Sequence, residues 1–192
     1  MRLFAALSIP AAVLENLSTV IRELRRADAH PRWVNPDNLH VTLKFIGEVP
    51  AEKLKAIGDV LASIRSTDEL TLEFRDVGFF PNGRRPNVAW IGIAASPNLA
   101  PLVAAMNNTL TPLGIPNEQR EFVPHLTLAR FKATRVSAAL QAEIEKWKDR
   151  SFGTLRTREF HLVQSRLKST GAEYTTLRSF HFAPEEGEGK QT

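Results

Sequence analysis

The sequence predicts an α+β fold of two lobes related by a pseudo-twofold axis, each an antiparallel sheet with flanking helices, around a central cleft. Apolar residues make up 43% and charged residues 24% of the 192 residues, which is typical of a globular chain. Stretches with helical periodicity and stretches with strand periodicity follow one another. The order helix, loop, strand, helix, hairpin occurs twice, with equivalent histidines at His40 and His125, which indicates two copies of one unit.

The two copies set the predicted domain boundaries. We expect one bilobal domain over residues 1–183, built from two internal repeats at roughly 1–96 and 97–183. Residues 184–192 are polar and lie at the end of the chain, where order is least common. We predict that these last residues form a disordered tail.

The first copy begins with a strand and an amphipathic helix. Leu3–Ile9 is apolar, and Pro10 suits the first turn of a helix over Ala11–Arg26, whose apolar residues recur at helical spacing. The alternating stretch Leu39–Ile46 predicts a strand that Gly47 ends. The other predicted elements are a short strand around Trp33, a helix over Ala51–Ile64, and a hairpin of Leu70–Phe80 with Asn87–Ala94 around the turn signal Asn82-Gly83.

The second copy repeats this order. A helix is predicted over Leu99–Leu110, because its apolar residues share one face, and Gly114 and Pro116 then indicate a loop. The elements that follow are a strand over His125–Phe131, a helix over Val136–Trp147, and strands over Arg156–Gln164 and Tyr174–Phe182.

Composition narrows the possible functions. The chain has no cysteine, which excludes disulfides, thiolate nucleophiles and cysteine-based metal sites. The formal net charge of +4 fits an anionic partner such as RNA. No apolar run reaches the roughly 20 residues of a membrane helix, and Pro10 interrupts the N-terminal stretch that could resemble a signal peptide. We therefore expect a cytoplasmic protein that is not attached to a membrane. We also expect a monomer.

One four-residue pattern, His-x-Thr-Leu, occurs at equivalent places in the two copies. It reads His40-Val41-Thr42-Leu43 in the first and His125-Leu126-Thr127-Leu128 in the second. The composition predicts only about 0.04 chance occurrences of such a pattern. Residues i and i+2 of a strand share a face, so the histidine and threonine of each tetrad point the same way. Strand propensity and a histidine satisfied in the core could explain one tetrad, but not the duplication.

Two facing His-x-Thr pairs can catalyse displacement at a phosphodiester. Imidazole titrates near pH 6.5, so one histidine can act as general base while the other acts as general acid. The threonine hydroxyls can donate hydrogen bonds to the non-bridging phosphate oxygens. A metal site would need a third ligand at matched spacing, and none accompanies the tetrads. We therefore expect no metal and no other cofactor.

The tetrads and their flanking residues resemble the 2H phosphoesterases, and most closely the bacterial RNA 2′,3′-cyclic phosphodiesterases, also called 2′-5′ RNA ligases. The similarity covers the chain from residue 1 to about 182, and it is clearest over Arg2–Leu7, Asn38–Gly47 and Pro124–Phe131. It implies a bilobal fold and metal-free hydrolysis of a 2′,3′-cyclic phosphate, at an RNA end or on a cyclic nucleotide, to a 2′-phosphomonoester. A weak reverse 2′-5′ joining reaction is also implied.

The resemblance also implies roles for the tetrad residues. His40 and His125 are the expected acid–base pair, with His40 as proton donor and His125 as proton acceptor. Thr42 and Thr127 are the expected phosphate-binding residues. Another 2H phosphodiesterase activity, or a non-catalytic module that binds RNA ends, would fit the same residues, and turnover of a cyclic phosphate distinguishes them.

Two further residues are candidates for binding the substrate. Arg130 could hold the nucleotide, although strict strand alternation puts it on the face opposite His125 unless the strand contains a bulge. A bulge would account for Phe131 lying six residues after its histidine when Phe45 lies five residues after His40. Phe45 and Phe131 could stack on a base, but their apolar neighbours favour packing in the core.

Overall fold

The computed structural model describes residues 1–66, 68–81, 85–118, 121–132, 135–169 and 171–183. The strands of this part are β1 (Arg2–Leu7), β2 (Arg32–Trp33), β3 (Val41–Glu48), β4 (Leu70–Phe80), β5 (Val88–Ala95), β6 (His125–Arg130), β7 (Ser151–Thr157), β8 (Glu159–Lys168) and β9 (Gly171–His181). The α-helices are α1 (Ala11–Ala27), α2 (Lys53–Leu61), α3 (Leu99–Leu110) and α4 (Ala138–Glu145). The tail predicted over 184–192 and the turn predicted at Asn82-Gly83 lie outside the described residues.

The strands form two antiparallel sheets, which confirms the predicted α+β class. The first sheet has the order β3-β1-β8-β9, and the second has the order β2-β6-β5-β4-β7. All neighbouring strands are antiparallel. Each tetrad therefore belongs to a different sheet, one at β3 and the other at β6.

Neither sheet is built from one half of the sequence. The first sheet takes β1 and β3 from the N-terminal half and the hairpin β8-β9 from the C-terminal half. The second sheet combines β2, β4 and β5 with β6 and β7. The expected boundary near residue 96 thus does not separate the two sheets. Hydrophobic alternation determines which face of a strand is buried, but it does not determine which strand lies beside it.

The helices cover the sheets in pairs. Helices α1 and α4 contact each other and pack on β7 and β4 of the second sheet, whereas α2 and α3 contact each other and α3 packs on β3 of the first sheet. Gly153 permits the close approach of α1. Its φ is 118°, and a Cβ atom there would lie 2.9 Å from Val13 Cγ2. None of the helices in the described residues is long and apolar enough to cross a membrane.

One strand differs from the sequence prediction. The single strand predicted over Arg156–Gln164 is in fact the end of β7 and most of β8, which are separated by Arg158. The sequence did not indicate β7, because its first residues do not form a continuous apolar pattern: they include Ser151, Gly153 and Thr154. It is nevertheless paired along β4, where Leu155 and Phe152 are buried.

Candidate active site

The strands of the two tetrads lie next to each other where the two sheets meet. Strands β3 and β6 belong to different sheets, yet their Cα atoms approach within 8 Å. His125 is the first residue of β6, and His40 immediately precedes β3. Both histidines are partly exposed. The structure therefore places the two strands that carry the tetrads next to each other.

Each histidine ring is held by the same contact. His40 Nδ1 lies 2.8 Å from the carbonyl oxygen of Asn38, and His125 Nδ1 lies 2.8 Å from the carbonyl oxygen of Val123. A carbonyl oxygen can only accept, so Nδ1 carries the hydrogen and donates it in both rings. The lone pair of each neutral ring is consequently at Nε2, which is the nitrogen left for proton transfer.

The threonine hydroxyls are available for a ligand. Thr42 and Thr127 are half-buried, and within the described ranges neither hydroxyl makes a hydrogen bond. Thr42 lies opposite Ala6 on β1, and Thr127 lies opposite Trp90 on β5. Two free donors on the histidine faces are suited to an anionic oxygen.

A β-bulge follows the threonine of each tetrad. On β1, Ala6 faces Thr42 and Ala5 faces Lys44, so Leu43 is the extra residue. On β5, Trp90 faces Thr127 and Ala89 faces Ala129, so Leu128 is the extra residue. The bulges occur at the same position of the two tetrads.

The bulges bring two candidate binding residues onto the histidine faces. Phe45 and Arg130 each lie five residues after a tetrad histidine, and both are exposed. Phe45 pairs directly with Phe4, whose ring contacts the His40 ring. The sequence-based possibility that a bulge reorients Arg130 is therefore confirmed.

The two phenylalanines have different environments. The expectation of core packing is wrong for Phe45, which is 53% exposed, and right for Phe131, which is 7% exposed. Phe45 is equivalent to Arg130 rather than to Phe131, because both strands contain the bulge. Because both strands contain the bulge, it does not account for Phe131 lying six residues after His125 when Phe45 lies five residues after His40.

Aromatic rings enclose His40. Its ring centroid lies 4.6 Å from that of Phe4 and 5.0 Å from that of Tyr174, which is edge-on. The amide of Asn38 donates to the carbonyl oxygen of Ala172, 2.8 Å away, and ties the segment before His40 to β9. Burial lowers the pKa of His40 and outweighs the opposing hydrogen bond to the Asn38 carbonyl. Sequence analysis did not identify Tyr174, the single tyrosine of the chain.

His125 has a different set of neighbours. Its ring centroid lies 5.4 Å from that of Phe80, which is edge-on, and Phe80 in turn stacks on Trp90 at 4.9 Å. Gly78 leaves the space that the Trp90 ring occupies, because a Cβ atom at Gly78 would overlap that ring. The glycine therefore supports the wall beside His125.

Lys44 is an unexpected buried cation next to the first tetrad. It is 2% exposed, and its ammonium donates to the carbonyl oxygen of Pro116, 2.7 Å away. Burial lowers the pKa of Lys44, although the charge of Glu118 opposes this shift. The bulge at Leu43 turns Lys44 away from the face that strict alternation would give it. It holds the segment before the second tetrad against β3.

In the part of the chain that the structure describes, no three His, Asp or Glu side chains lie together as a metal site would require. Metal independence stays a prediction.

Known proteins match this chain over most of its length. The model of the 2′-5′ RNA ligase superfamily matches residues 13–168. An RNA 2′,3′-cyclic phosphodiesterase of Archaeoglobus fulgidus is 34% identical over 180 residues, which are 94% of this chain and 99% of the relative.

Solved structures agree. A crystal structure of a Thermus thermophilus protein matches with a TM-score of 0.75 and 30% identity, and covers 96% of this chain and all (100%) of that one. Escherichia coli LigT complexed with 3′-AMP matches with a TM-score of 0.71 and 28% identity, and covers 95% of this chain and 98% of that one. The chain belongs to the 2′-5′ RNA ligase superfamily, the 2H phosphoesterases, as its paired tetrads predicted.

Proposed function

We propose that this protein hydrolyses RNA 2′,3′-cyclic phosphodiester ends to 2′-phosphomonoesters, with a weak reverse 2′-5′ ligation. One observation carries the proposal: the strands of the two His-x-Thr pairs lie next to each other, and the same nitrogen of each histidine ring is tied to a carbonyl oxygen. In the proposed mechanism, the two free Nε2 atoms and the two hydroxyls act on one phosphate. The family and the relatives named RNA 2′,3′-cyclic phosphodiesterase support the same substrate.

The proposed reaction is a displacement by water at the cyclic phosphorus. Neutral His125 accepts a proton from water at Nε2 as the new P–O bond forms. Protonated His40 donates its Nε2 proton to the 3′ oxygen as the P–O3′ bond breaks, which leaves the phosphate on the 2′ oxygen. Thr42 and Thr127 donate hydrogen bonds to the non-bridging oxygens, where negative charge increases.

The protonation state of His40 depends on the substrate. Burial lowers its pKa in the free protein, which favours the neutral ring and would by itself suit a base. A bound phosphodiester is anionic, and a nearby negative charge raises the pKa of an imidazole. The donor role of His40 thus requires that the substrate restores its proton affinity.

Phe45 and Arg130 are the proposed contacts to the rest of the nucleotide. Phe45 offers an exposed ring on which a base can stack, and Arg130 offers a guanidinium on the opposite wall. The complex of Escherichia coli LigT with 3′-AMP supports a nucleotide as ligand of this fold. Assignment to the bacterial branch, the division into repeats, a cytoplasmic location and a monomeric state also stay predictions.

The test is turnover of a nucleoside 2′,3′-cyclic phosphate in excess EDTA, with the product identified by ³¹P NMR. We expect the 2′-phosphate as product and the same rate with and without the chelator. Activity that EDTA abolishes and a divalent cation restores would contradict the two-histidine mechanism. Binding of an RNA end without any turnover would favour the non-catalytic module, and turnover of other phosphodiesters alone would favour another 2H activity.

A further inference from the structure

Two arginines lie side by side at the edge of the second sheet. Arg32 on β2 is paired directly with Arg130 on β6, and the next pair along is Trp33 with Ala129. Ala129 is fully buried and Trp33 packs on the core, whereas both arginines are exposed. Directly paired residues of antiparallel strands project from the same face, so the two guanidinium groups share the exposed face.

This exposed face is the face of His125. Arg130 is paired with Val88, and Val88 is paired with Phe80 on the next strand. These residues form one row across the sheet, and the ring of Phe80 contacts the ring of His125. Arg32 extends the row by one strand at its outer end.

The pair is unfavourable unless something anionic binds it. Like charges directly opposite each other in an antiparallel pair are destabilising. Among the described residues, no carboxylate oxygen lies within 4 Å of the nitrogens of either Arg32 or Arg130. Some other surface arginines do have such a partner, for example Arg156 with Glu69. Two guanidinium groups without a carboxylate partner, on adjacent strands whose backbones run about 4.8 Å apart, can both reach one phosphate.

We propose that Arg32 and Arg130 together bind the phosphodiester that precedes the cyclic end of an RNA substrate. The proposal rests on the proposed function, in which the reacting phosphate is held by the two tetrads. Arg32 lies one strand farther out than β6, so it is suited to the next phosphate along the chain. Arg32 then contributes to the binding of RNA chains but not to the binding of a cyclic mononucleotide.

The experiment compares two substrates with the same reacting end, a nucleoside 2′,3′-cyclic phosphate and a dinucleotide that ends in it. We expect Arg32→Ala to lower kcat/KM for the dinucleotide about 10-fold, through KM, and to leave the mononucleotide unchanged. The negative slope of log kcat/KM against log salt concentration should become shallower by about 0.7 for the dinucleotide only, because one phosphate contact is lost. Arg32→Lys should recover part of the loss, since it keeps the charge and loses the planar fork.

Arg156→Ala is the matched control. Arg156 is exposed on β7, the opposite edge strand of the same sheet, roughly 19 Å from β2 at the usual strand spacing. It should leave both substrates unchanged. The melting temperature of Arg32→Ala should equal or exceed that of the wild type, because the variant removes a repulsion.

Two results would overturn the proposal. Equal losses on both substrates would assign Arg32 to the reacting phosphate, and no loss on either would show that the pair binds no phosphate. Binding of a 3′-phosphorylated hexaribonucleotide, followed by fluorescence anisotropy, keeps the test independent of catalysis. If the wild type turns over neither substrate, the proposed function fails. Weaker hexaribonucleotide binding by Arg32→Ala would even then support phosphate binding by Arg32 and Arg130.

Discussion

The two histidine sites share a frame, which is the carbonyl contact of Nδ1 and the bulge after the threonine, but different side chains form the wall beside each ring. In both, Nδ1 lies 2.8 Å from a carbonyl oxygen two residues earlier, and in both a bulge follows the threonine. His40 is enclosed by two aromatic rings, and burial lowers its pKa. Where the wall beside His40 has Phe45, the wall beside His125 has Arg130.

The difference separates the chemistry from substrate recognition. Proton transfer and phosphate binding need two imidazoles and two hydroxyls in similar positions, which a duplicated tetrad provides. A nucleotide is not symmetric, because a flat aromatic base lies at one end and charged phosphates at the other. Phe45 beside His40 can stack on the base, whereas Arg130, on the same face as Phe80 and Trp90 beside His125, can bind a phosphate.

The largest expected effect comes from breaking the shared frame. His40→Ala and His125→Ala should each lower kcat on a nucleoside 2′,3′-cyclic phosphate at least ~10²-fold, because each removes one of two coupled proton transfers. The double variant should be little worse than the slower single variant, since the pair acts as a unit. Steady-state kinetics at a fixed pH near neutrality measures all three.

The histidine variants need a control for folding and for generic loss of an imidazole. His181→Ala serves, because His181 is an exposed histidine at the end of β9, and it should retain the wild-type rate. Thermal unfolding should show that all variants remain folded. A folded His40→Ala or His125→Ala protein with the wild-type rate would contradict the proposed mechanism.

The shared frame could be predicted from the sequence because it is local. A histidine and a threonine two residues apart face the same way on any strand, and duplication distinguished the tetrads from chance. The walls could not be predicted in the same way. Phe4 and Tyr174 reach His40 from β1 and β9, and strand neighbours are decided by contacts between distant segments.

Strict alternation also fails after each tetrad. The bulges at Leu43 and Leu128 reverse the faces of the residues that follow, so that Lys44 is buried and Phe45 is exposed. A bulge depends on pairing with the neighbouring strand, which a single strand's pattern does not contain. For the same reason, the sequence did not predict that β8 and β9 join the sheet of the first tetrad, or that β4 and β5 join the sheet of the second.

A smaller effect should distinguish the aromatic wall from the core. Phe45→Ala should raise KM about 10-fold with little change in kcat, since stacking on a base is worth ~1–3 kcal/mol and binds ground state and transition state alike. Its free energy of unfolding should change by about 1 kcal/mol or less, because the ring is half-exposed. Kinetics and urea denaturation measure the two quantities.

Phe131→Ala is the matched comparison for this prediction. Phe131 is buried and packs edge-on against Phe79 at 5.7 Å, so its loss should cost about 3–5 kcal/mol of stability. KM of the protein that remains folded should be close to that of the wild type. If Phe45→Ala leaves KM unchanged, or destabilises the protein as much as Phe131→Ala does, Phe45 is a packing residue.

The smallest expected effect tests the enclosure of His40 through the dependence of stability on pH. Burial penalises the charged ring, so the pKa of His40 is lower in the folded protein than its ordinary value of 6.5. As the pH falls below 6.5, the unfolded chain binds a proton at His40 that the folded protein does not yet bind. Stability is therefore complete above pH 6.5 and decreases as the pH falls through the folded pKa.

His40→Gln isolates this contribution, because the other titrating groups are the same in both proteins and cancel in the difference. The free energy of unfolding of the wild type minus that of His40→Gln, from urea denaturation at several pH values, should be constant above pH 6.5 and decrease below it. Tyr174→Ala opens the enclosure and should weaken the decrease, since the ring then keeps more of its hydration. A difference that does not change between neutral and acidic pH would mean that the aromatic wall leaves the imidazolium well solvated. The aromatic rings around His40 would then affect only the shape of the site and not the proton affinity of His40.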